Sequence, residues 1–134
     1  MATHAVTSQD FNQVVESNDL VFVDFWATWC GPCRAFGPTF EKASEANPDV
    51  YFAKVDIDQN PDLAAAAKVQ AVPTLMGVKK QQIIFQQAGA LRASDLDDLI
   101  SQAKALDMDA AASDGDTASS GDAKVKTPSS QSER

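Results

Sequence analysis

Two cysteines stand three positions apart in the pentapeptide WCGPC, Trp29 to Cys33, and the chain of 134 residues contains no other. Such a pair supports three kinds of chemistry: half of a zinc site, a permanent staple, or a redox pair that opens and closes. Zinc asks for about four ligands, commonly a second CxxC or two histidines. The sequence offers one histidine, His4, in its first few residues. A c-type haem would need His directly after the second cysteine, and Arg34 stands there instead. A bridge between Cys30 and Cys33 closes a very small loop and restricts the unfolded chain little, so a purely structural staple is a weak use of it. The redox option fits best.

The elements that must hold the pair support it. Leu20 to Trp26, LVFVDFW, is β-branched and aromatic, and reads as a strand buried on both faces. A helix is expected from Gly31 to Ala46, with Phe36 and Phe40 one turn apart and Pro38 inside it, where a missing backbone donor predicts a kink. The pair therefore falls where a buried strand turns into a helix, at the sheet edge where α/β folds place their sites. Cys30 at a helix N-terminus would meet unpaired N–H groups and the positive end of the dipole, which favour a thiolate. The thiolate is the attacking species in disulfide exchange. Cys33, one turn on, would be the more buried of the two and would resolve a mixed disulfide. Gly31 lets a partner backbone come close, and Pro32 stiffens the first turn without sacrificing a needed N–H.

The rest of the chain alternates between strand and helix periodicity. Thr3 to Val6 reads as a short strand. Ser8 is placed to cap a helix carrying Phe11, Val14 and Val15. Val50 to Ile57 reads as a strand, and Pro61 opens a short helix reaching Lys68. Thr74 to Val78 and Gln82 to Gln87 are close enough to form a hairpin. Ser94 with Asp97 resembles a capping box, opening a last helix with Leu96, Leu99, Ile100 and Ala103 on its apolar face. The order βαβαβαββα predicts an α/β domain over residues 1–108, parallel in part, with an antiparallel hairpin at one edge. Composition changes sharply beyond Met108: residues 109–134 are rich in Ser, Ala, Asp and Gly and read as a disordered acidic tail.

The formal net charge is −8, which argues against nucleic acid as the main partner. The doublet Lys79-Lys80 is too short to form a basic patch. No apolar run approaches the roughly 20 residues of a membrane span. The N-terminus lacks the pattern of a secretory signal, so a cytoplasmic protein is expected, in a compartment where permanent disulfides are rare.

VDFWATWCGPC, with the acidic residue in the preceding strand and AVPT downstream, resembles the active-site region of the thioredoxin family. The likeness extends over about Thr3 to Leu106. It implies the thioredoxin fold, a central mixed five-stranded sheet flanked by four helices. It also implies a protein-disulfide reductase in which Cys30 is the nucleophile and Cys33 the resolving thiol, linked as a redox disulfide when oxidised.

Other roles follow the same resemblance. Asp24 interrupts an apolar strand; it either faces solvent at a sheet edge or lies beneath the cysteines as a partly protonated carboxyl. The family assigns the matching aspartate the proton of the resolving cysteine and pairs it with the lysine matching Lys54, which otherwise reads as a surface lysine. Pro73, ordinarily a trans proline opening an edge strand, matches the family's cis proline. By the same likeness the Val72 backbone would pair with an extended client segment, Trp29 would shield the thiols and wall the groove, and Gly89 and Ala90 would form its far wall. Gly89 is equally readable as a turn glycine. Trp26 is expected in the core. The sequence departs from the family's pattern in the turn KKQQ, which lacks an Asn-Gly-like signal, and in Gly77 within a strand, a mark of a bulge.

The implied partners are disulfide-containing client proteins and a flavin-dependent thioredoxin reductase using NADPH. The chain has no dinucleotide fingerprint, so NADPH and FAD would belong to that reductase; the chain itself is expected to bind no cofactor or metal and to act as a monomer. Two other readings are an oxidase or isomerase in an oxidising compartment, which would require a secretory signal, and a non-enzymatic clamp that uses the groove near Trp29 and Pro73.

Overall fold

The structure, a computed structural model, describes residues 2–108. The segment read as a disordered tail, 109–134, lies outside the described residues, and the compact unit ends at Lys104. Nine elements follow in order: β1 (Thr3–Ala5), α1 (Phe11–Ser17), β2 (Leu20–Trp26), α2 (Gly31–Ala46), β3 (Tyr51–Asp56), α3 (Pro61–Ala66), β4 (Thr74–Lys79), β5 (Gln82–Ala88) and α4 (Ala93–Ala105). The sheet order is β1-β3-β2-β4-β5. β3 pairs in parallel with β1 and β2, while β4 runs antiparallel to β2 and to β5. This is the mixed five-stranded sheet with four helices that the sequence led us to expect.

β2 is apolar on both faces because helices cover both. Successive side chains point to opposite sides of a strand. Leu20 and Phe22 join Phe52 and Leu75 under Phe36, Phe40 and Ala43 of α2 and Leu96, Ile100 and Ala103 of α4. Val21, Val23 and Phe25 join Ala53, Val55 and Met76 on the other face, packed by Phe11, Val14 and Val15 of α1 and Leu63 of α3. Phe22, Phe40 and Phe52 are fully buried, and each such ring stabilises the fold by roughly 1.5–3 kcal/mol. The even-numbered residues of β2 therefore face α2, which places Asp24 under the helix that carries the cysteines.

Two local expectations, the caps at Ser8 and Ser94, are corrected. Ser8 does not cap α1: the cap position is Asp10, without a side-chain cap, and Ser8 instead donates through N–H to Asn60 Oδ1 (2.9 Å) and through its hydroxyl to Asp62. Ser94 lies inside α4; its first turn is tied by Leu96 N–H to Arg92 O (3.0 Å) and by the Arg92–Asp95 ion pair. α2 runs through Pro38 as one helix. Lys79 is 6% exposed, and its ammonium donates to the carbonyls of Ala103 (2.7 Å) and Lys104 (3.1 Å) at the C-terminal end of α4, where a cation is favoured. Gly77 sits at a register shift opposite β5, and a Cβ there would collide with the Phe85 ring. The turn between β4 and β5 uses Lys80 and Gln81 at φ +49° and +68°, the left-handed pair a tight hairpin requires.

Candidate active site

Residue by residue, the strand-to-helix junction dictates the geometry of the cysteines. Cys30 is the N-cap of α2, with extended backbone (φ −91°, ψ 112°), and Pro32 follows in the first turn. The Cys33 N–H points back at Cys30 Sγ, 3.1 Å away. That N–H belongs to the unpaired set at a helix start, so the sulfur does the work usually done by a Ser or Asp oxygen. Cys30 and Cys33 are joined as a disulfide. They pack with Ala27 and against Trp26, Ile57 and Val72. Contrary to the sequence expectation, Cys33 is not the more buried: Cys30 is 3% exposed and Cys33 5%, because Ala27 and Val72 close over Cys30 as well.

Val72 and Pro73 lie on the other side of the bridge. The Val72–Pro73 peptide is cis, and the Val72 carbonyl oxygen is 3.6 Å from Cys30 Sγ. Gly89 donates its N–H to Pro73 O at 2.8 Å with φ +104°, a conformation that favours glycine. Gly89 thus stands against the proline loop, while Ala90 next to it is exposed. Gly31 is exposed and a Cβ on it would meet no atom of the chain, so nothing inside the protein demands glycine there.

Trp29 projects outward, 64% exposed, and its indole N–H donates to Asp58 Oδ2 at 2.9 Å. Arg34 in the first turn of α2 donates to Thr28 O at 2.7 Å, tying the loop before the cysteines to the helix after them. Neither contact is legible in the sequence. The partners come from turns, and no periodicity or motif marks such pairs.

On β2, Asp24 pairs in register with Lys54 on β3 and with Leu75 on β4. Asp24 is fully buried, and neither carboxylate oxygen has a hydrogen-bond partner among the described residues. Burial without hydrogen bonds penalises the charged form and raises its pKa from 3.8 to about 7, against the opposing pull of the Lys54 ammonium. Lys54 Nζ lies 5.3 Å from the centre of the Trp26 ring, so Trp26, half-buried rather than core, forms a cation–π shelf. A cleft of about 370 Å³ is lined by Lys54, Trp26, Cys33, Arg34 and Gly37 among others. Cys33 and Lys54 thus border one space, whereas Trp29, Gly89 and Ala90 do not line it.

Among the described residues no cluster of His, Cys, Asp or Glu could hold a metal ion, and no helix is long and apolar enough to cross a membrane.

Known proteins agree with this geometry. The sequence profile of the family described as Thioredoxin matches residues 2–102. A putative thioredoxin 2 of Streptomyces coelicolor is 51% identical over 108 residues, spanning 81% of each chain. Thioredoxin-1 of Saccharomyces cerevisiae is 40% identical over 90 residues, covering 67% of this chain and 87% of its own. A thioredoxin mutant from Halobacterium salinarum superimposes with a TM-score of 0.74 at 34% identity, over 78% of this chain and 93% of that one. The oxidised mitochondrial thioredoxin 3 of Saccharomyces cerevisiae gives 0.69 at 37% identity, over 75% and 93%. With an N-capping cysteine bridged to a second one turn on, and a family match over most of the chain, this protein belongs to the thioredoxin family of thiol–disulfide oxidoreductases, protein-disulfide reductases that are themselves reduced by thioredoxin reductase.

Proposed function

We propose that Cys30 is the attacking thiolate and Cys33 the resolving thiol. In the reduced protein the Cys30 thiolate attacks one sulfur of a client disulfide. The client S–S bond breaks, a Cys30–client bond forms, and the other client sulfur leaves as a thiolate that takes a proton. Cys33 then gives its proton to the Asp24 carboxylate and attacks Cys30 Sγ. The Cys30–client bond breaks, the second client sulfur leaves as a thiolate that takes up a proton from water, and the Cys30–Cys33 bond forms. The client gains two electrons and two protons. Thioredoxin reductase returns two electrons to the pair, supplied by NADPH through FAD held in that partner.

One observation carries the assignment of Cys30: its sulfur accepts the Cys33 N–H at 3.1 Å at the start of α2, an arrangement that favours its thiolate. Alkylation of the reduced protein, followed site by site with mass spectrometry across pH, tests it. Cys30 is expected to react first, with a midpoint below the ordinary thiol value of about 8.5. Faster labelling of Cys33 would reverse the two roles.

Lys54 is proposed as the charge partner of Asp24, supported by their shared register. Trp29, Gly31, Pro32, Val72, Pro73, Gly89 and Ala90 are proposed as the client groove. Its support is the exposure of Trp29 and Gly31 and the nearness of the Val72 carbonyl to Cys30. A monomer is the proposed working unit, in a reducing compartment such as the cytoplasm. Residues 1–108 form the proposed domain, and truncation after Met108 is expected to leave turnover unchanged; a loss of turnover would give the tail a part in the site.

A further inference from the structure

The two edges of the sheet differ. β1 is three residues long, too short to recruit much. β5 is seven residues long and, among the described residues, pairs with β4 on one side only. Exposed edges are commonly guarded by charge or proline. Here residues 81–91 carry no charge at all and no proline, in a chain with net charge −8, and Ile83 is 60% exposed.

The bulge gives this edge a symmetric facing pattern. Gln82 and Gln87 lie opposite Lys79 and Leu75, residues that face α4 and the α2–α4 core. Ile84 and Phe85 both pack toward that same core. Ile83 lies opposite Val78, on the other face, and Gln86 reaches Ala67 O beyond α3 at 2.8 Å. Read from Gln82 to Gln87, the faces mirror about the Ile84–Phe85 step. A two-fold antiparallel pairing centred there sets Ile84 opposite Phe85 of a second copy, Ile83 opposite Gln86 and Gln82 opposite Gln87. Each pair shares a face, as cross-strand neighbours must, and no like charges meet.

We propose that β5 is a self-association edge, at which two copies join antiparallel into one continuous sheet. The occupant is a second copy because the facing pattern is self-complementary and because the segment lacks the charge that opposes contact between other surfaces of two acidic chains. One strand pair buries less than the roughly 1,200 Å² of a stable interface, so the dimer forms reversibly at high concentration, and the cysteines lie on other elements.

Sedimentation velocity from about 10 µM to about 1 mM, with amide spectra over the same dilution series, tests the proposal. The weight-average mass is expected to rise from 14.3 kDa toward twice that value, with perturbed amides centred on residues 82–87. Ile83→Lys, at an exposed position, is expected to remain monomeric with an unchanged melting temperature. The proposal is overturned if wild type stays monomeric throughout, if Ile83→Lys associates equally well, or if the perturbed amides lie elsewhere. It also fails if the edge binds an added extended peptide while the protein alone remains monomeric, since the occupant would then be a client segment.

Discussion

Asp24 and Lys54 stand in register on adjacent parallel strands, yet the carboxylate is fully buried with no hydrogen bond among the described residues. Burial outweighs the lysine and lifts the Asp24 pKa from 3.8 to about 7. The native state therefore binds a proton between these values that the unfolded chain has released. Stability from this group is fully present below about pH 4 and is lost as pH rises through 7. A shift of about 3 units corresponds to about 4 kcal/mol. Denaturant unfolding of oxidised wild type is expected to show that decline, and Asp24→Asn to lack most of it. Parallel pH profiles for the two proteins would contradict the burial argument.

The same carboxyl has a kinetic consequence under the proposed mechanism. A base with a pKa near 7 accepts a proton better as pH rises through 7. Release of a trapped mixed disulfide should accelerate over that range in wild type. In Asp24→Asn it is expected to be slower by on the order of 10²-fold near pH 7, without the inflection. Lys54→Met removes the attraction that lowers the Asp24 pKa and should move the inflection upward. Stopped-flow measurement of client release reads both effects.

Trp29 is held by Asp58 through its indole N–H. Asp58→Ala frees the ring to sample other rotamers while removing only an exposed hydrogen bond, whose loss costs about 1 kcal/mol. The expected result is a client KM raised roughly three- to tenfold, the equivalent of about 1 kcal/mol, with kcat little changed. A fall in kcat alone would place Trp29 in the chemical step instead.

Gly77 faces the Phe85 ring, which packs edge-on to Phe22 with centroids 5.4 Å apart. A methyl group at Gly77 must displace that ring. Gly77→Ala is expected to lower stability by about 1–3 kcal/mol, as overpacking does, and Phe85→Leu in the same chain to recover part of it. Thermal unfolding of the single and double variants checks this.

The sequence made the frame legible because long-range burial leaves a local trace. LVFVDFW reads as a doubly covered strand, and the anomaly of Asp24 within it is visible at once. The cysteine spacing needed no partner elsewhere in the chain. The caps expected at Ser8 and Ser94 do not form, since a hydroxyl near a helix start caps only when the backbone aims it at the free N–H groups. Ser8 found Asn60 and Asp62 instead. The burial of Lys79 has no local sign, because the α4 carbonyls it caps lie more than 20 residues away. The Trp29–Asp58 bond joins two turns 29 residues apart, and neither turn carries a local sign of the other. The burial of Cys30 depends on Ala27 and Val72 closing around it, which spacing within WCGPC does not encode.

The central claim is that Cys30 and Cys33 form a cycling redox pair with Cys30 as the nucleophile. The most direct measurement is NADPH oxidation in a mixture of thioredoxin reductase, this protein and a disulfide-bonded protein substrate, with Cys30→Ser in parallel. Wild type is predicted to sustain turnover and Cys30→Ser to have none. Turnover that persists in Cys30→Ser would contradict the account.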